Sequence, residues 1–290
     1  MPSTDQRDHL DDLAGIDALD TPTQKPPAGR TRHAWSILWP KLAAIAIFLG
    51  GWQIVVWSGW RPPWVLPGPL DALTRLWRWT ADGTLISATS TTMTRAIIGY
   101  ALALLFGAAI GLAVATIPVL RTAVGSLITG VQTMPSIAWF PLAILLFQLS
   151  ERAILFVIVL GAAPAIANGL IHGIDHTPPL LNRAGRVLGA TGIDRYRFVV
   201  LPAALPGFVG GLKQGWAFAW RSLMAGELLV VIAERPSLGV RLQFARELSD
   251  AEGLLATMLV ILIIGVLVDA LLFARLEQTV RRRWGLNPQA

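Results

Sequence analysis

Residues 177–206 read TPPLLNRAGRVLGATGIDRYRFVVLPAALP and form the longest polar, basic stretch between two very apolar halves of the chain. Thr177 is placed to cap a helix that two prolines begin. Gly189 and Gly192 are placed to loosen or end that helix. We expect this stretch to be a docking element that lies at a membrane surface.

The two faces of the predicted helix differ in chemistry. Apolar residues fall at helical spacing on one face: Leu180, Leu181, Ala184, Val187 and Leu188. The other face combines positive charge with almost bare backbone: Asn182, Arg183, Gly185, Arg186 and Gly189. Because glycine lets a bulky group approach the backbone closely, this second face is the expected contact surface.

The composition is that of a membrane protein. Of the 290 residues, 54% are hydrophobic and 14% are charged, whereas soluble domains have about 25% charged residues. Three runs, 96–120, 122–150 and 153–171, contain no charged residue, and each is longer than the roughly 18 residues that indicate a membrane span. A soluble core of helices that are apolar all round is the alternative, but three such runs are hard to bury in water.

We predict an all-α membrane protein with about six transmembrane helices. Their expected limits are 36–58, 93–120, 122–149, 153–171, 203–231 and 253–273. Prolines 135, 141 and 164 are expected to break the third and fourth spans. A short amphipathic helix is expected near residues 70–77, and residues 234–252 are expected to be polar and exposed.

The domain prediction is a disordered cytoplasmic tail at 1–34, a transmembrane domain at 35–285 with its loop at 172–206, and a C-terminal tail at 286–290. Basic residues are more numerous on the side that holds both termini and the loop. This excess places the termini and the loop in the cytoplasm.

The fifth predicted span carries the clearest functional pattern. Small residues recur every fourth position and predict close helix packing: Gly207, Gly211, Gly215 and Ala219. Another face is polar and aromatic: Lys213, Trp216, Trp220, Met224 and Glu227, with Arg221 along its edge. Ionisable residues inside a span normally face a bundle interior or a water-filled cavity, so this face suits the wall of a pathway.

Two questions about polar groups inside the spans stay open. Arg221 and Glu227 point in different directions, so each needs a partner on another helix or a solute. Asp269 is expected to pair with a basic residue. Near the predicted helix breaks, four residues either face the same path or belong to merely bent, packed helices: Gln132, Ser136, Trp139 and Asn168.

The sequence lacks the residues that several classes of function require. The sequence has no Gly-x-x-x-x-Gly-Lys-Ser/Thr loop for nucleotide phosphates, no nucleophile elbow, no cysteine and no histidine set suited to a metal. The basic residues concentrate beside the spans, without the interleaved aromatic–basic surface that nucleic-acid binding needs. We therefore expect no catalytic site, no metal, no cofactor and no nucleic-acid partner for this chain.

The loop resembles that of bacterial ABC importer permeases. Ala184, Gly189 and Leu201-Pro202 match the pattern EAA, three residues, G, then LP, although Arg183 stands at the usual glutamate and Gly185 at the second alanine. The chain is similar, more narrowly, to sulfonate, taurine and nitrate permeases over about residues 60–285. The further matching segments are Leu66-Pro-Gly-Pro69, Pro135-Ser-Ile-Ala-Trp-Phe-Pro141, Glu227 and Arg281-Arg-Arg-Trp284.

This resemblance implies a type I ABC importer permease in the inner membrane, with a cytoplasmic coupling helix and a small anion as solute. The implied coupling residues are Arg183, Ala184, Gly185, Arg186, Gly189, Leu201 and Pro202. The implied partners are a second copy of the chain, two ATPase subunits that bind ATP and Mg, and an extracytoplasmic solute-binding protein. A stand-alone secondary transporter or channel is the alternative. It needs carboxylates at mid-membrane, and Glu227 is the one candidate away from a helix end.

Overall fold

The computed structural model describes residues 30–232 and 235–285, and no strand occurs in these ranges. The chain divides into two compact units, Met1–Ser58 and Gly59–Ala290. In the first unit, α1 (Arg30–Trp57) begins inside the predicted tail. Its apolar part, Leu38–Trp57, is long enough to cross a membrane, as predicted for the first span. The rest of the predicted tails, 1–29 and 286–290, lies outside the described residues.

The second unit is a bundle of long helices joined by short ones. In chain order these are α2 (Pro69–Ala81), α3 (Thr84–Thr116), α4 (Pro118–Thr133), α5 (Phe140–Phe147), α6 (Glu151–Asp175), α7 (Pro179–Val187), α8 (Gly192–Arg195), α9 (Leu201–Leu229), α10 (Leu238–Glu247), α11 (Ala251–Val268) and α12 (Ala274–Arg283). Wider π-helical turns join α8 to α9 at Tyr196–Val200 and α11 to α12 at Asp269–Phe273.

The described helices include fewer clear membrane spans than the six that were predicted. Four are long and apolar enough to cross a membrane: the apolar part of α1, α3, α6 and the α11–α12 run. A fifth span results if α4 and the segment Ser136–Phe147 are counted together, although they are bent by 103° at their break. The predicted fifth span forms α9. Because α9 contains several glycines, prolines and charged residues, its mean hydropathy is lower than that of the four spans named above.

The proline predictions have different outcomes. Met134 is extended before Pro135, as the residue before a proline tends to be, and the helix breaks there as predicted. Pro141 lies in the first turn of α5, where its missing N–H costs nothing. Pro164 lies inside the continuous helix α6, so the predicted break in the fourth span is wrong.

Helix α6 is the centre of the bundle. Its side chains Ile154, Val157, Ile158 and Ile166 are fully buried. On one side α3 approaches through Gly107, where an added Cβ would lie 2.6 Å from the carbonyl oxygen of Ala163. Gly111, four residues later, meets the carbonyl oxygen of Ala167 at 2.9 Å in the same way, so these two glycines let α3 pack closely on α6.

Two short helices cover the end of the bundle opposite α7. The predicted amphipathic helix forms as α2, which buries Ala72 and exposes Leu70 and Trp77. Arg75 of α2 forms an ion pair of 2.6 Å with Asp250, which also caps α11. The prediction that 234–252 is exposed is wrong for residues 237–240, which are buried at the start of α10.

Candidate functional site

The loop helix α7 is closed at its C-terminal end by Gly189. The φ angle of Gly189 is +85°, in the left-handed region that a side chain disfavours. The N–H of Gly189 donates to the carbonyl of Arg186, and the N–H of Ala190 donates to the carbonyl of Gly185. This pair of bonds is the usual closure of a helix at a left-handed glycine, and it confirms the predicted helix end.

The start of α7 differs from the prediction. Pro178 precedes the first helical residue, and its side chain makes no capping hydrogen bond. The hydroxyl of Thr177 instead donates to the carbonyl of Gly173 in α6. The predicted Thr177 cap is therefore wrong, because that hydroxyl bonds back to the preceding helix.

The glycine face of α7 is partly filled by the chain itself. Gly185 is buried, and an added Cβ there would lie 2.7 Å from a methyl group of Val199. Ala184, Arg183 and Arg186 are exposed. Since Val199 covers the bare backbone, Gly185 is not available as the predicted surface for close approach by another molecule.

The apolar face of the loop points away from the bundle. Five large apolar side chains are mostly exposed: Leu180, Val187, Leu188, Ile193 and Phe198, with Leu188 at 86%. We call these five residues the loop patch. Five exposed apolar side chains within one loop are candidates for a contact site. The helical spacing of the leucines and valine was visible in the sequence, but which face turns outward depends on the Gly185–Val199 contact.

The base of the loop is tied to the C-terminal helix. Leu201 and Pro202 form the first residues of α9. The indole N–H of Trp284, just after α12, donates to the carbonyl of Pro202 over 2.9 Å. Trp284 thus connects the end of α12 to the point at which the loop joins α9.

The small-residue face of α9 packs on α6, as predicted. An added Cβ on Gly211 would lie 2.5 Å from the Cα of Gly169, and one on Gly207 would lie 2.9 Å from the Cα of Gly173. Gly215 fits against the side chain of Ile166 in the same way. The backbones of α6 and α9 are therefore in direct contact along this face.

A cavity lies along another side of α9. Its volume is about 510 Å³, and its lining includes Lys213, Trp216, Trp220, Arg221 and Asp269. The two indoles are stacked with ring centroids 6.1 Å apart, and most of each ring is buried. Lys213 forms an ion pair of 3.0 Å with Asp269, which confirms the predicted basic partner of that aspartate. Arg221 is exposed, and its Nε donates to the carbonyl of its own helix at Ala217.

The candidates near the helix break form a separate group. The amide of Asn168 on α6 donates to the side-chain oxygen of Gln132 on α4 over 2.5 Å. Ser136 and Trp139 begin and end the short 3₁₀ turn after the break, and both are half-buried. None of these four residues lines the cavity beside α9. The structure therefore does not bring all the predicted path residues to one place.

Glu227 lies in a buried ionic cluster near the end of α9. Its side chain is 0% exposed, and its Oε1 lies 2.9 Å from Nη1 of Arg95 on α3. The same guanidinium donates to Glu151 at the start of α6, over 2.8 Å from Nε and 2.6 Å from Nη2. Of the two alternatives for Glu227, a partner on another helix is therefore the one observed. Glu227 offers no surface to a solute in this structure.

The residues that complete this cluster were missed by sequence reasoning. Thr92 donates its hydroxyl to the Glu227 carboxylate over 3.0 Å and accepts from the backbone N–H of Leu238. The N–H of Gly239 donates to Oε2 of Glu227 over 3.0 Å. No spacing in the sequence links α3 to the start of α10, so these contacts had no local pattern to reveal them.

The comparisons with known proteins agree with this architecture. Residues 103–282 match the family described as binding-protein-dependent transport system inner membrane component. The chain belongs to this family of ABC importer permeases. As the family description states, it is an inner-membrane protein. Among its described residues, no group of three or more His, Cys, Asp or Glu side chains is placed to hold a metal ion.

The permease is also similar to named relatives and to a solved structure. It is 29% identical to the taurine transport system permease protein TauC of Escherichia coli over 79% of this chain and 84% of TauC. It is 28% identical to the nitrate import permease protein NrtB of Synechococcus elongatus over 72% of this chain and 80% of NrtB. An inward-facing MetNI methionine ABC transporter structure superposes with a TM-score of 0.58 at 20% identity, over 68% of this chain and 95% of that chain. The last comparison establishes the fold alone.

Proposed function

We propose that this permease forms the solute path of an ATP-driven importer and that a separate ATPase subunit drives it through the α7 loop. The observation that carries the proposal is the loop patch, whose apolar side chains are exposed at one end of the bundle. The exposed Arg183 and Arg186 lie beside the patch on the same short helix. An apolar centre with a charged rim is the composition expected of a protein-docking surface.

ATP hydrolysis is expected on the partner subunit. Because the sequence has no phosphate-binding loop, we place ATP and Mg on the ATPase subunits. Two copies of the permease would present two α7 helices to two ATPase subunits. The cavity beside α9 is lined by α9 together with Gly265 and Asp269 and is partly open, which suits closure by a second copy.

A small anion is the proposed solute. The named relatives serve taurine and nitrate, which carry a sulfonate or nitrate group. In the cavity beside α9, the exposed Arg221 supplies a positive charge next to the indole of Trp220. A guanidinium presents several N–H donors to such a group. The proposed path residues are Gln132, Ser136, Trp139, Asn168, Trp216, Trp220 and Arg221.

Glu227 is left out of this path. It was the mid-membrane carboxylate on which the alternative of a secondary transporter depended, and its charge is matched by Arg95 at 2.9 Å. Because Arg95, Thr92 and the N–H of Gly239 already occupy this carboxylate, it presents no open site for a coupling ion, and we favour the importer over the secondary transporter.

The proposed orientation follows from the basic residues. We place both termini and the α7 loop in the cytoplasm. The end of the bundle with α2 and α10 then faces outward, where an extracytoplasmic binding protein would deliver the solute.

The test compares two exposed leucines at opposite ends of the bundle. Leu188→Asp places a charge in the loop patch, whereas Leu248→Asp changes a residue that is 77% exposed just after α10. Burying an unpaired carboxylate at an interface costs more than the roughly 1.4 kcal/mol that corresponds to tenfold in affinity. We expect Leu188→Asp to lose most of the ATPase that co-purifies with the permease, and Leu248→Asp to retain it. Equal recovery of the ATPase with both variants would contradict the docking role.

A further inference from the structure

Arg95 and Glu227 are the two charged side chains that the described part of the chain buries. They join helices distant in sequence: Arg95 lies within α3 (Thr84–Thr116) and Glu227 near the end of α9. A buried ion pair is weak evidence for a stability role, because desolvation offsets most of its attraction. The role of the Arg95–Glu227 pair is therefore better inferred from the segments that it holds in position.

The cluster holds the first turn of α10. Gly239 donates its backbone N–H to Glu227, and Leu238 donates its backbone N–H to Thr92, each over 3.0 Å. The preceding Ser237 caps the helix by accepting from the N–H of Val240. The first N–H groups of a helix carry partial positive charge and lack partners within the helix. Glu227 and Thr92 supply the acceptors that this end requires.

Gly239 makes the fit close. An added Cβ at Gly239 would lie 3.1 Å from the Cα and 3.0 Å from the carbonyl carbon of Glu227. The backbone of α10 therefore touches the backbone of α9, and no side chain fits between them at this point. A methyl group at Gly239 would have to push the two helices apart.

One carboxylate of the cluster is buried and the other is partly exposed to solvent. Glu227 is enclosed, whereas Glu151 is 30% exposed and lies 3.6 Å from the exposed Arg235. A cavity of about 440 Å³ reaches Arg95 and Glu151, and its lining includes hydroxyl side chains of α3. The guanidinium of Arg95 thus ties a buried carboxylate to one that water can reach.

We propose that Glu227 and Arg95 are positioning residues that fasten α10 to the end of α9. Helix α9 has 29 residues, so it spans about 43 Å at 1.5 Å per residue. It begins at the α7 loop and ends beside Glu227. A displacement received at the loop is carried along α9 to α10 at the opposite end of the bundle. The fastening stands on the contacts alone, and its part in transport rests on the proposed function.

The first experiment measures whether α10 is fastened. The chain has no cysteine, so Val240→Cys and Leu248→Cys each introduce one thiol, at positions that are 6% and 77% exposed. We expect Val240→Cys to react with a membrane-impermeant maleimide at least about tenfold more slowly than Leu248→Cys. Adding Glu227→Gln or Gly239→Ala should raise the Val240→Cys rate to that of Leu248→Cys.

The second experiment separates positioning from folding. Variants Glu227→Gln, Gly239→Ala and Thr92→Val are assembled with the ATPase subunit and the binding protein. We expect each to be recovered in the membrane and to hydrolyse ATP, while solute uptake per ATP falls at least about tenfold. Gly125→Ala is the control, because an added Cβ there has no atom within 4 Å, and it should transport normally.

The outcomes are distinguishable. A native complex without ATP-driven uptake would defeat the proposed function but leave the labelling result intact. The positioning role would be overturned if the native complex transports and the three variants transport equally well. It would also be overturned if Val240→Cys stays protected from the maleimide in the variants. Loss of all three variants from the membrane would assign the cluster to folding and also overturn it.

Discussion

Gly210 and Gly211 are neighbours on α9 with different surroundings. An added Cβ at Gly211 would lie 2.5 Å from the Cα of Gly169, whereas one at Gly210 has no atom within 4 Å. We expect Gly211→Ala to destabilise the permease by about 1–3 kcal/mol through overpacking. Gly210→Ala should be neutral or stabilising by up to about 1 kcal/mol, because alanine favours a helix.

Thermal unfolding of the two purified variants in detergent measures this difference. A lower Tm is expected for Gly211→Ala alone. The same Tm for both variants would mean that α6 and α9 are not packed backbone to backbone at this point.

Arg221 is the residue on which the anion proposal depends. It is exposed beside the aromatic cavity and bonds only its own helix among the described contacts. Removing the charge with Arg221→Gln should raise the KM for an anionic solute several-fold, which corresponds to about 1 kcal/mol of binding free energy. Arg221→Lys keeps a positive charge and should bring the KM part of the way back to the native value. The measurement is the concentration dependence of uptake in proteoliposomes. An unchanged KM in Arg221→Gln would remove Arg221 from the path.

Residue-level prediction succeeded where the pattern is local. The four-residue repeat from Gly207 specified the face of α9 that packs, and Asp269 was correctly given a basic partner, Lys213. The partner of Glu227 could not be predicted, because Arg95 is 132 positions away. Only the three-dimensional packing of α3 against α9 brings the two together.

At the scale of the element, Gly189 decides how α7 ends. Its φ of +85° is costly for other residues, while open space surrounds the position where a Cβ would be. The effect of a substitution is therefore conformational, of roughly 1–2 kcal/mol. We expect Gly189→Val to reorient the loop patch and to abolish ATP-driven uptake with normal membrane insertion.

Gly189→Asn is the matched control, since asparagine tolerates left-handed backbone better than valine does. It should retain much more uptake than Gly189→Val. Equal uptake by both variants and the native permease would show that the end of α7 is not needed for coupling.

Elements were predictable as far as their signals are local. The break at Pro135, the amphipathic α2 and the end of α7 follow from proline, hydrophobic spacing and glycine. Pro164 misled the prediction because it lies inside a helix that is packed on both sides by α3 and α9. The start of α10 looked like an exposed loop, since its burial depends on Thr92 and Glu227 from other helices.

At the scale of the whole molecule, the sequence specifies a membrane protein and its family, but not which surfaces meet partners. The predicted contact face of α7 includes Arg183, Gly185, Arg186 and Gly189; Val199 covers Gly185, whereas the other three residues and the loop patch are exposed. Such an assignment depends on how the loop folds back on itself, which helical spacing does not contain. The roles proposed for the two ends of α9 therefore come from the structure.

The central claim is that this permease is a gated path whose driving force comes from another protein. The direct measurement is uptake of a labelled solute into proteoliposomes, with binding protein present, comparing the permease alone with the permease assembled with its ATPase subunit. We expect uphill uptake only in the assembled complex and only when ATP is supplied. Uphill uptake by the permease alone would contradict this account.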